Sequence, residues 1–401
     1  MKAVVFLGDG MADLPIAELG GKTPLEAANH PRMDMIAARG RLGCTVTIPE
    51  GMPKSSDVAN LAVMGYDPRE SYCGRSPFEA VSIGVKLDDA DVTYRCNLVT
   101  LCGDTLNSAI MQDYSAGEIE SRFARQYIDA MNERFGSSQA LFYQGVSYRH
   151  CLVLKNAAAG TGLTPPHDIS GKTVEGCFPK DGNSELLNEM IRYSFEVFKT
   201  LPISRELEAM GRIPPNAVWF WGEGTKPCIG SFTQKYNVRG GMISAVDLLH
   251  GIGRCAGLCS IDVANITGNF HTDFAAKGRA AVEALKTGCD FVYIHVEAPD
   301  ECGHHGEIKE KVWSIEQIDG KIIAPVMDYL EGCDEDYAVL LMPDHPTPIS
   351  LLTHTGAPVP FAIYRKGEDR GGRERFTEAE ATATGFFVEH GFELMDMMMK
   401  G

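Results

Sequence analysis

Three short apolar runs constrain this chain more than any other feature, because each leads within a few residues to an aspartate. Lys2–Leu7 precedes Asp9, Phe291–Val296 precedes Asp300, and Ala338–Met342 precedes Asp344. Uninterrupted apolar runs of this length suit strands buried on both faces, as in a parallel sheet covered by helices. Ligands of open parallel sheets lie beyond the carboxyl ends of the strands, so the pattern gathers three carboxylates on one sheet edge. Like charges placed together need cations. Histidines crowd the same segments: five of the eleven in the chain fall between residues 295 and 354. A single aspartate after a strand is usually an ordinary turn or cap residue, and a lone histidine is more often a satisfied surface or core residue than a ligand. It is the coincidence that points to metal, with Asp9, Asp300, His304, Asp344, His345 and His354 as candidate ligands.

Mixed carboxylate and imidazole donors suit Mn²⁺, Zn²⁺, Fe²⁺ or Co²⁺ better than an all-oxygen calcium cage. Three aspartates carry −3, and two divalent cations would make the site net positive. Two-metal sites, with ions ~3.5–4 Å apart, clamp the attacking and leaving oxygens of an in-line phosphoryl displacement. Such chemistry asks for a nucleophile. Lys54-Ser55-Ser56-Asp57-Val58-Ala59-Asn60 sets Ser56 at the mouth of a helical pattern, where a serine is either a plain N-cap or a phosphoryl acceptor among the N–H groups of a helix start.

The pattern between these motifs divides the chain. Pro31–Gly40 reads as a helix, Cys44–Ile48 as a strand, and 56–64 as a helix stopped by Gly65. Val92–Leu101 alternates and reads as a half-buried strand. The capping box Ser115/Glu118 announces a helix striped by Ile119, Phe123, Tyr127, Met131 and Phe135. Leu141–Tyr143, Tyr148–Lys155 and a helix over Glu185–Leu201 complete an antiparallel α+β pattern. From about residue 236 the α/β rhythm returns, with helices over Ala275–Lys286 and Ile308–Leu330 and a strand at Val359–Tyr364. The expected architecture is a discontinuous α/β domain over 1–96 and 235–401, interrupted by an α+β substrate domain over 97–234.

Composition excludes several classes. With 37 Lys+Arg against 54 Asp+Glu the formal charge is −17, which argues against a nucleic-acid partner. No run holds the ~18 uncharged apolar residues of a membrane span, and Asp9 interrupts the start before a signal-peptide core can form. Twelve cysteines without a CxxC pair read as free thiols of a reducing cytoplasm. No GxxxxGK[ST] loop for ATP phosphates occurs.

The ordered set Asp9-Gly10, Ser56-Asp57-Val58-Ala59-Asn60, Pro299-Asp300 with Gly303-His304, Pro343-Asp344-His345 and Thr353-His354-Thr355 resembles the cofactor-independent phosphoglycerate mutases. The archaeal-type branch is nearest, within the alkaline phosphatase-like metalloenzymes. The likeness extends to Gly74–Ala80, Arg95-Cys96-Asn97, Pro166-His167-Asp168 and Trp219–Lys226. It implies an alkaline phosphatase-like, mainly parallel sheet sandwiched by helices, with an inserted α+β domain. It also implies Asp300, His304 and His354 on one metal and Asp9, Ser56, Asp344 and His345 on the other, with Ser56 as nucleophile. His295 and His305 do not match ligand positions, and Asn60 stands where the bacterial branch has a histidine. The implied activity interconverts 3-phosphoglycerate and 2-phosphoglycerate through phosphoserine, with two divalent ions (Mn²⁺ first, then Zn²⁺, Co²⁺ or Mg²⁺) and no bisphosphoglycerate. A phosphatase, or a kinase-like enzyme acting on a small hydroxy compound such as homoserine, would use the same metal motifs. Candidate substrate contacts, chosen by chemistry alone, are Arg75, Arg95, Arg149, His150, His167 and Lys226; Arg95 and Lys226 lie near the expected domain junctions.

Overall fold

The run Lys2–Leu7 becomes the middle of the main sheet. In the computed structural model, which describes residues 1–370, 372 and 374–400, the chain starts on β1 (Lys2–Gly8) and β2 (Arg41–Thr45). It then leaves for an inserted unit holding β3 (Val92–Cys102), β4 (Ile110–Asp113), β5 (Ala140–Tyr143), β6 (Arg149–Leu154) and β7 (Ala217–Thr225). It returns for β8 (Gly240–Ile243), β9 (Cys259–Ser260), β10 (Phe291–Val296), β11 (Tyr337–Met342), β12 (Val359–Arg365) and β13 (Phe387–Val388). The compact units are 1–72 with 229–401, and 73–228. The sequence reading divides β3 at 96/97, whereas its eleven residues form one continuous strand paired with β6 and β7.

The main sheet runs β13-β2-β12-β11-β1-β10-β8-β9. β1 is parallel to β10 on one side and to β11 on the other, so the three aspartate-bearing strands are adjacent and point the same way. β12 is antiparallel to both β11 and β2. Residues 3–7, 291–296 and 337–342 are buried on both faces, as apolar runs without alternation require. Val4, Phe6, Ile294, Val339 and Leu341 pack against Ile315, Ile322, Val326 and Leu330 of the covering helices.

Two local departures have physical causes. The strand expected at Cys44–Ile48 lies at Arg41–Thr45, because 46–48 leave the sheet and Thr47 donates its hydroxyl proton to the Asp344 carbonyl at 2.5 Å. The helix expected over Ile308–Leu330 is helical throughout but widens to a π-turn at Ile318–Ile323. Pro325 has no N–H for the Lys321 carbonyl. That carbonyl faces Gly278 of a neighbouring helix, where a Cβ would collide with it.

In the inserted unit β4-β3-β6-β5, with β7 on the other side of β3, form an antiparallel sheet. Helices Ser121–Phe135 and Ser184–Val197 cover one face through Phe123, Tyr127, Met131, Leu187 and Ile191, against Tyr94, Cys96, Leu152 and Phe220. The capping box starts no helix, although Glu118 N reaches Ser115 Oγ at 3.4 Å. Ser115 and Gly117 donate their N–H groups to Asp113, Ala116 and Glu118 take positive φ, and the helix begins only at Ser121.

A buried ion pair ties the main unit together next to Asp344. Lys311 and Asp13 meet at 2.7 Å; Lys311 also donates to the Thr347 carbonyl (2.8 Å), and Asp13 accepts from Ile349 N (3.2 Å). Lys311→Met would strand a buried carboxylate, so chemical denaturation should show a loss of about 3–5 kcal/mol. The double variant Asp13→Asn/Lys311→Met should recover part of that loss.

Candidate active site

The carboxyl ends of β10, β1 and β11 deliver Asp300, Asp9 and Asp344 to one edge of the sheet, all three buried. Gly10 follows Asp9 with φ of 59°, and a Cβ there would come within 2.6 Å of the Asp300 carboxylate and the Thr347 hydroxyl. Only glycine permits that approach. Asp344 is held by three donors: Gly10 N (3.2 Å) and His345 N (2.9 Å) on Oδ1, and Asn60 Nδ2 (2.8 Å) on Oδ2. Asn60 is aimed in turn by Tyr293, whose hydroxyl donates to its Oδ1 at 2.6 Å.

The imidazoles complete the cluster. His304 lies one helical turn after Asp300, and their facing atoms are 3.3 Å apart; His354 Nε2 is also 3.3 Å from Asp300. His304 Nδ1 faces the Leu352 carbonyl and His354 Nδ1 the Lys54 carbonyl, each at 3.0 Å. Carbonyls only accept, so both rings carry their proton at Nδ1 and turn Nε2 lone pairs inward. Those Nε2 atoms are 2.8 Å apart, an arrangement that needs a proton or a cation between them. Leu352 presents its carbonyl from a left-handed backbone, φ 54°, a conformation disfavoured for a side chain of this size. His345 follows the same rule. Thr347 gives its hydroxyl proton to Asp300, so His345 Nδ1 donates to Thr347 Oγ (3.2 Å) and Nε2 looks into the cluster.

Charge in the cluster fits a divalent cation. Burial and the facing carboxylates of Asp344 and Asp300 push Asp9 well above the usual carboxylate range. Its Oδ1 is buried without a hydrogen-bond partner. Burial lowers the basicity of His304, but the hydrogen bond to Asp300 and the charge of that carboxylate together outweigh this and, with no cation at the site, lift its pKa to about 9. Three ligand groups form: Asp300–His304–His354, Asp9–His295–Asp344 and Asp9–Asp300–His345, each with donor atoms within 4.8 Å of one another. The six candidate ligands read from the sequence therefore come together. His295, which the sequence reading set aside, joins them and contacts Asp9, while exposed His305 is in none of these groups.

Ser56 lies beside this cluster. It is the first residue of helix Ser56–Val63, while Ser55 occupies the cap position. The plain N-cap alternative therefore does not describe Ser56. Its Oγ faces His345 Nε2 at 3.1 Å and is not spent on the helix N–H groups.

The inserted unit holds a second constellation. On the face of β3, β6 and β7 away from the helices, Arg95 stacks over Trp221 (4.2 Å to the ring centre) and pairs with Glu79 at 2.9 Å. Arg75 pairs with the other Glu79 oxygen at 2.9 Å. Burial lowers the Arg95 pKa to about 10, and the charges of Arg75 and Arg149 add to that push. The edge of His167 meets Trp221 at 5.0 Å, and Trp221 is fixed by donating to Asn97 (3.0 Å). Arg75 and Arg95 thus share the two oxygens of one carboxylate. His150 leaves β6 on the opposite face from Arg149 and is buried. Lys226 is exposed and paired with Asp89 at 2.7 Å. Glu79 and Trp221 lie in segments that carry the family likeness but were not singled out as site residues; strand register sets Trp221 opposite Arg95.

Residues 37–204 match the family model of 2,3-bisphosphoglycerate-independent phosphoglycerate mutase. The chain is 47 % identical over 401 residues to a probable mutase of that name from Geobacter sulfurreducens, covering 100 % of both chains. It is 44 % identical over 402 residues to the mutase of Methanosarcina barkeri, again covering 100 % of both. Among solved structures, a protein from Pyrococcus horikoshii matches with a TM-score of 0.81 and 30 % identity, over 100 % of this chain and 96 % of that one. A cofactor-independent phosphoglycerate mutase from Thermoplasma acidophilum shares the fold, with a TM-score of 0.66 and 24 % identity over 100 % and 99 % of the chains.

The buried His150 gives a pH test of the inserted unit. Burial, then the charge of Arg149, lowers its pKa from 6.5 to about 3. The unfolded chain takes up this proton below pH 6.5 and the native one does not until about pH 3, so stability falls as pH falls through that window. The slope is about 1.4 kcal/mol per pH unit for one proton. Denaturation between pH 7 and pH 5 should show one proton's slope less in His150→Asn, which keeps an acceptor for Gly145 N.

Proposed function

The chain belongs to the 2,3-bisphosphoglycerate-independent phosphoglycerate mutases, and on that premise we propose that Ser56 is the residue that carries the phosphoryl group between the two positions of glycerate. The enzyme is an isomerase, and its substrates are 3-phosphoglycerate and 2-phosphoglycerate. The observation that carries the proposal is the Ser56 hydroxyl 3.1 Å from His345 Nε2, at a helix start and free of any capping duty.

The donor set suits two divalent cations, Mn²⁺ foremost and Zn²⁺, Co²⁺ or Mg²⁺ as substitutes. Asp300, His304 and His354 would hold one, and Asp9, Ser56, Asp344 and His345 the other. When bound, these ions supply Lewis acidity and positive charge against a phosphoryl group. The protein's own residues do the rest. Ser56 Oγ loses its proton and attacks phosphorus in line, and the bond from phosphorus to the C3 oxygen of glycerate breaks as that oxygen takes up a proton. The C2 hydroxyl then loses its proton and attacks the phosphoserine, returning Ser56 to its starting state. At the start of helix Ser56–Val63 the Val58 N–H is taken by the Asp57 carboxylate (2.9 Å), so the N–H groups of Ser56 and Asp57 are the ones that would serve phosphoryl oxygens, and Asn60 anchors that helix by bonding both the Ser56 carbonyl and Asp344 at 2.8 Å.

In the inserted unit, which we read as the substrate domain, Arg75, Arg95 and Arg149 have the chemistry to hold a carboxylate through paired N–H donors. Glu79 and Trp221 keep Arg95 from swinging, and His167 stands beside them. No described helix is long and apolar enough to cross a membrane. We place the enzyme in the cytoplasm, where its cysteines, all free among the described residues, would remain reduced.

Ser56→Ala should abolish turnover while costing less than about 1 kcal/mol of stability, since the side chain caps nothing. Phosphate labelled in 3-phosphoglycerate should pass to 2-phosphoglycerate without ATP or bisphosphoglycerate, and quenched enzyme should carry the label on Ser56. Label on another residue removes Ser56 from the role. Inorganic phosphate as main product would instead indicate a phosphatase, and a requirement for ATP with a separate acceptor would indicate a kinase. Arg95→Ala should raise KM and the proportion of hydrolysis, and a rigorously metal-free sample should be inactive.

A further inference from the structure

We propose that His295 is a positioning residue for Asp9: it donates from Nε2 to one carboxylate oxygen and thereby leaves the other, in a fixed direction, for the cation. The proposal rests on the reading of Asp9 as a ligand. His295 lies two residues after Tyr293 on β10, so both side chains leave the strand on one face, and both are completely buried. Its Nε2 is 2.9 Å from Asp9 Oδ2. A carboxylate that holds a cation is ionised and only accepts, so with Asp9 as a ligand the proton of the neutral ring sits on Nε2.

That tautomer is supported from behind. Nδ1 is then an acceptor, 3.2 Å from Ser244 Oγ. Ser244 Oγ accepts from Val246 N at 3.0 Å, which leaves its hydroxyl proton for the ring. A one-directional chain runs from the Val246 amide through Ser244 and His295 to Asp9. Lys277, itself buried, donates to the His295 carbonyl at 3.1 Å and fixes the backbone under the ring.

The other three imidazoles are built the opposite way. His304 and His354 set Nδ1 against carbonyls, and His345 sets it against a threonine whose proton is already given to Asp300. Each keeps an Nε2 lone pair for the cluster. His295 uses Nε2 as a donor, so although its nitrogen groups with Asp9 and Asp344, its hydrogen bonding is that of a carboxylate partner and not of a ligand. The consequence is visible on Asp9. Oδ2 is occupied by the imidazole, while Oδ1 is buried and has no hydrogen-bond partner. Carboxylates restrained in this manner bind metal more tightly, and losing such a partner typically costs about 10–100-fold in affinity.

The test is calorimetric titration of metal-stripped protein with Mn²⁺, for wild type, His295→Leu, His295→Gln and Ser244→Ala. His295→Leu should bind about 10–100-fold more weakly. Glutamine can donate from nearly the same point, so His295→Gln should return close to the wild-type value, and Ser244→Ala should fall between. In ¹⁵N-histidine spectra, the resonance missing from His295→Gln should show a protonated Nε2 that stays protonated when diamagnetic Zn²⁺ is added. Equal weakening by leucine and glutamine, or unchanged affinity in His295→Leu, overturns the proposal. Loss of the Nε2 proton on adding Zn²⁺ also overturns it, by making His295 itself a ligand. Should His295→Leu fail to fold, Ser244→Ala and the spectra decide the matter. A wild type that binds no divalent cation overturns the metal centre and this role together; a wild type that binds cation with His295 indifferent overturns the role alone.

Discussion

Like-charge repulsion among Asp9, Asp300 and Asp344 is the constraint to which the rest of the main unit answers. Three parallel neighbours ending at one edge bring these carboxylates together, and burial removes the water that would screen them. Most of the polar construction around them reads as partial compensation. Gly10 N, His345 N and Asn60 converge on Asp344, Thr347 and two imidazoles on Asp300, and His295 on Asp9. The buried Lys311–Asp13 pair then pins the segment that carries Asp344 and His345, through Thr347 and Ile349. Removing any one donor would leave the others in place but worsen the same repulsion, so their effects should not add independently.

The inserted unit meets the mirror-image problem with the opposite sign. Arg75, Arg95 and Arg149 crowd one sheet face, and Glu79 answers two of them directly. That carboxylate is held below its ordinary range: the guanidiniums of Arg95 and Arg75 outweigh the burial that would raise it. A bulge assists. Gly222 takes φ of 62°, and the register of β7 against β3 shifts there, which sends Glu223 to the helix side to accept from Tyr94 at 2.8 Å. Glu223 is thereby kept away from the arginines.

What the sequence made legible was periodic or repeated. The three apolar runs each became a fully buried strand, and the stripe Ile119, Phe123, Tyr127 and Met131 became the buried side of one helix with its approach. Ligand side chains were readable because they recur at strand ends within a few residues of an apolar run. Single-residue signals failed where tertiary contacts outbid them. Ser115 and Glu118 have a capping spacing, and Glu118 N does reach Ser115 Oγ (3.4 Å), but the loop that Asp113 gathers holds Ala116 and Glu118 at positive φ, so no helix starts there. Cys44–Ile48 has strand character, but Thr47 is drawn out of the sheet by the Asp344 carbonyl. Tyr293, Asn60 and His295 could not be assigned from spacing at all, since their partners lie more than two hundred residues away in the chain.

The two orienting side chains of β10 explain why this strand is polar where its neighbours are not. β1 and β11 contribute only apolar side chains along Ala3–Leu7 and Ala338–Met342, whereas β10 buries a tyrosine hydroxyl and an imidazole. Burying either without a partner would cost on the order of 1–3 kcal/mol, so their presence calls for a compensating role. Alternation supplies it: residues 293 and 295 share the face that looks toward the helix bearing Ser56 and the end of β1. From there Tyr293 reaches Asp344 through Asn60, and His295 reaches Asp9 directly. A strand paired on both sides thus sets the orientation of two carboxylates that stand on loops. Loops supply the groups that must approach a ligand closely, and the strand beside them supplies the precision that a loop lacks.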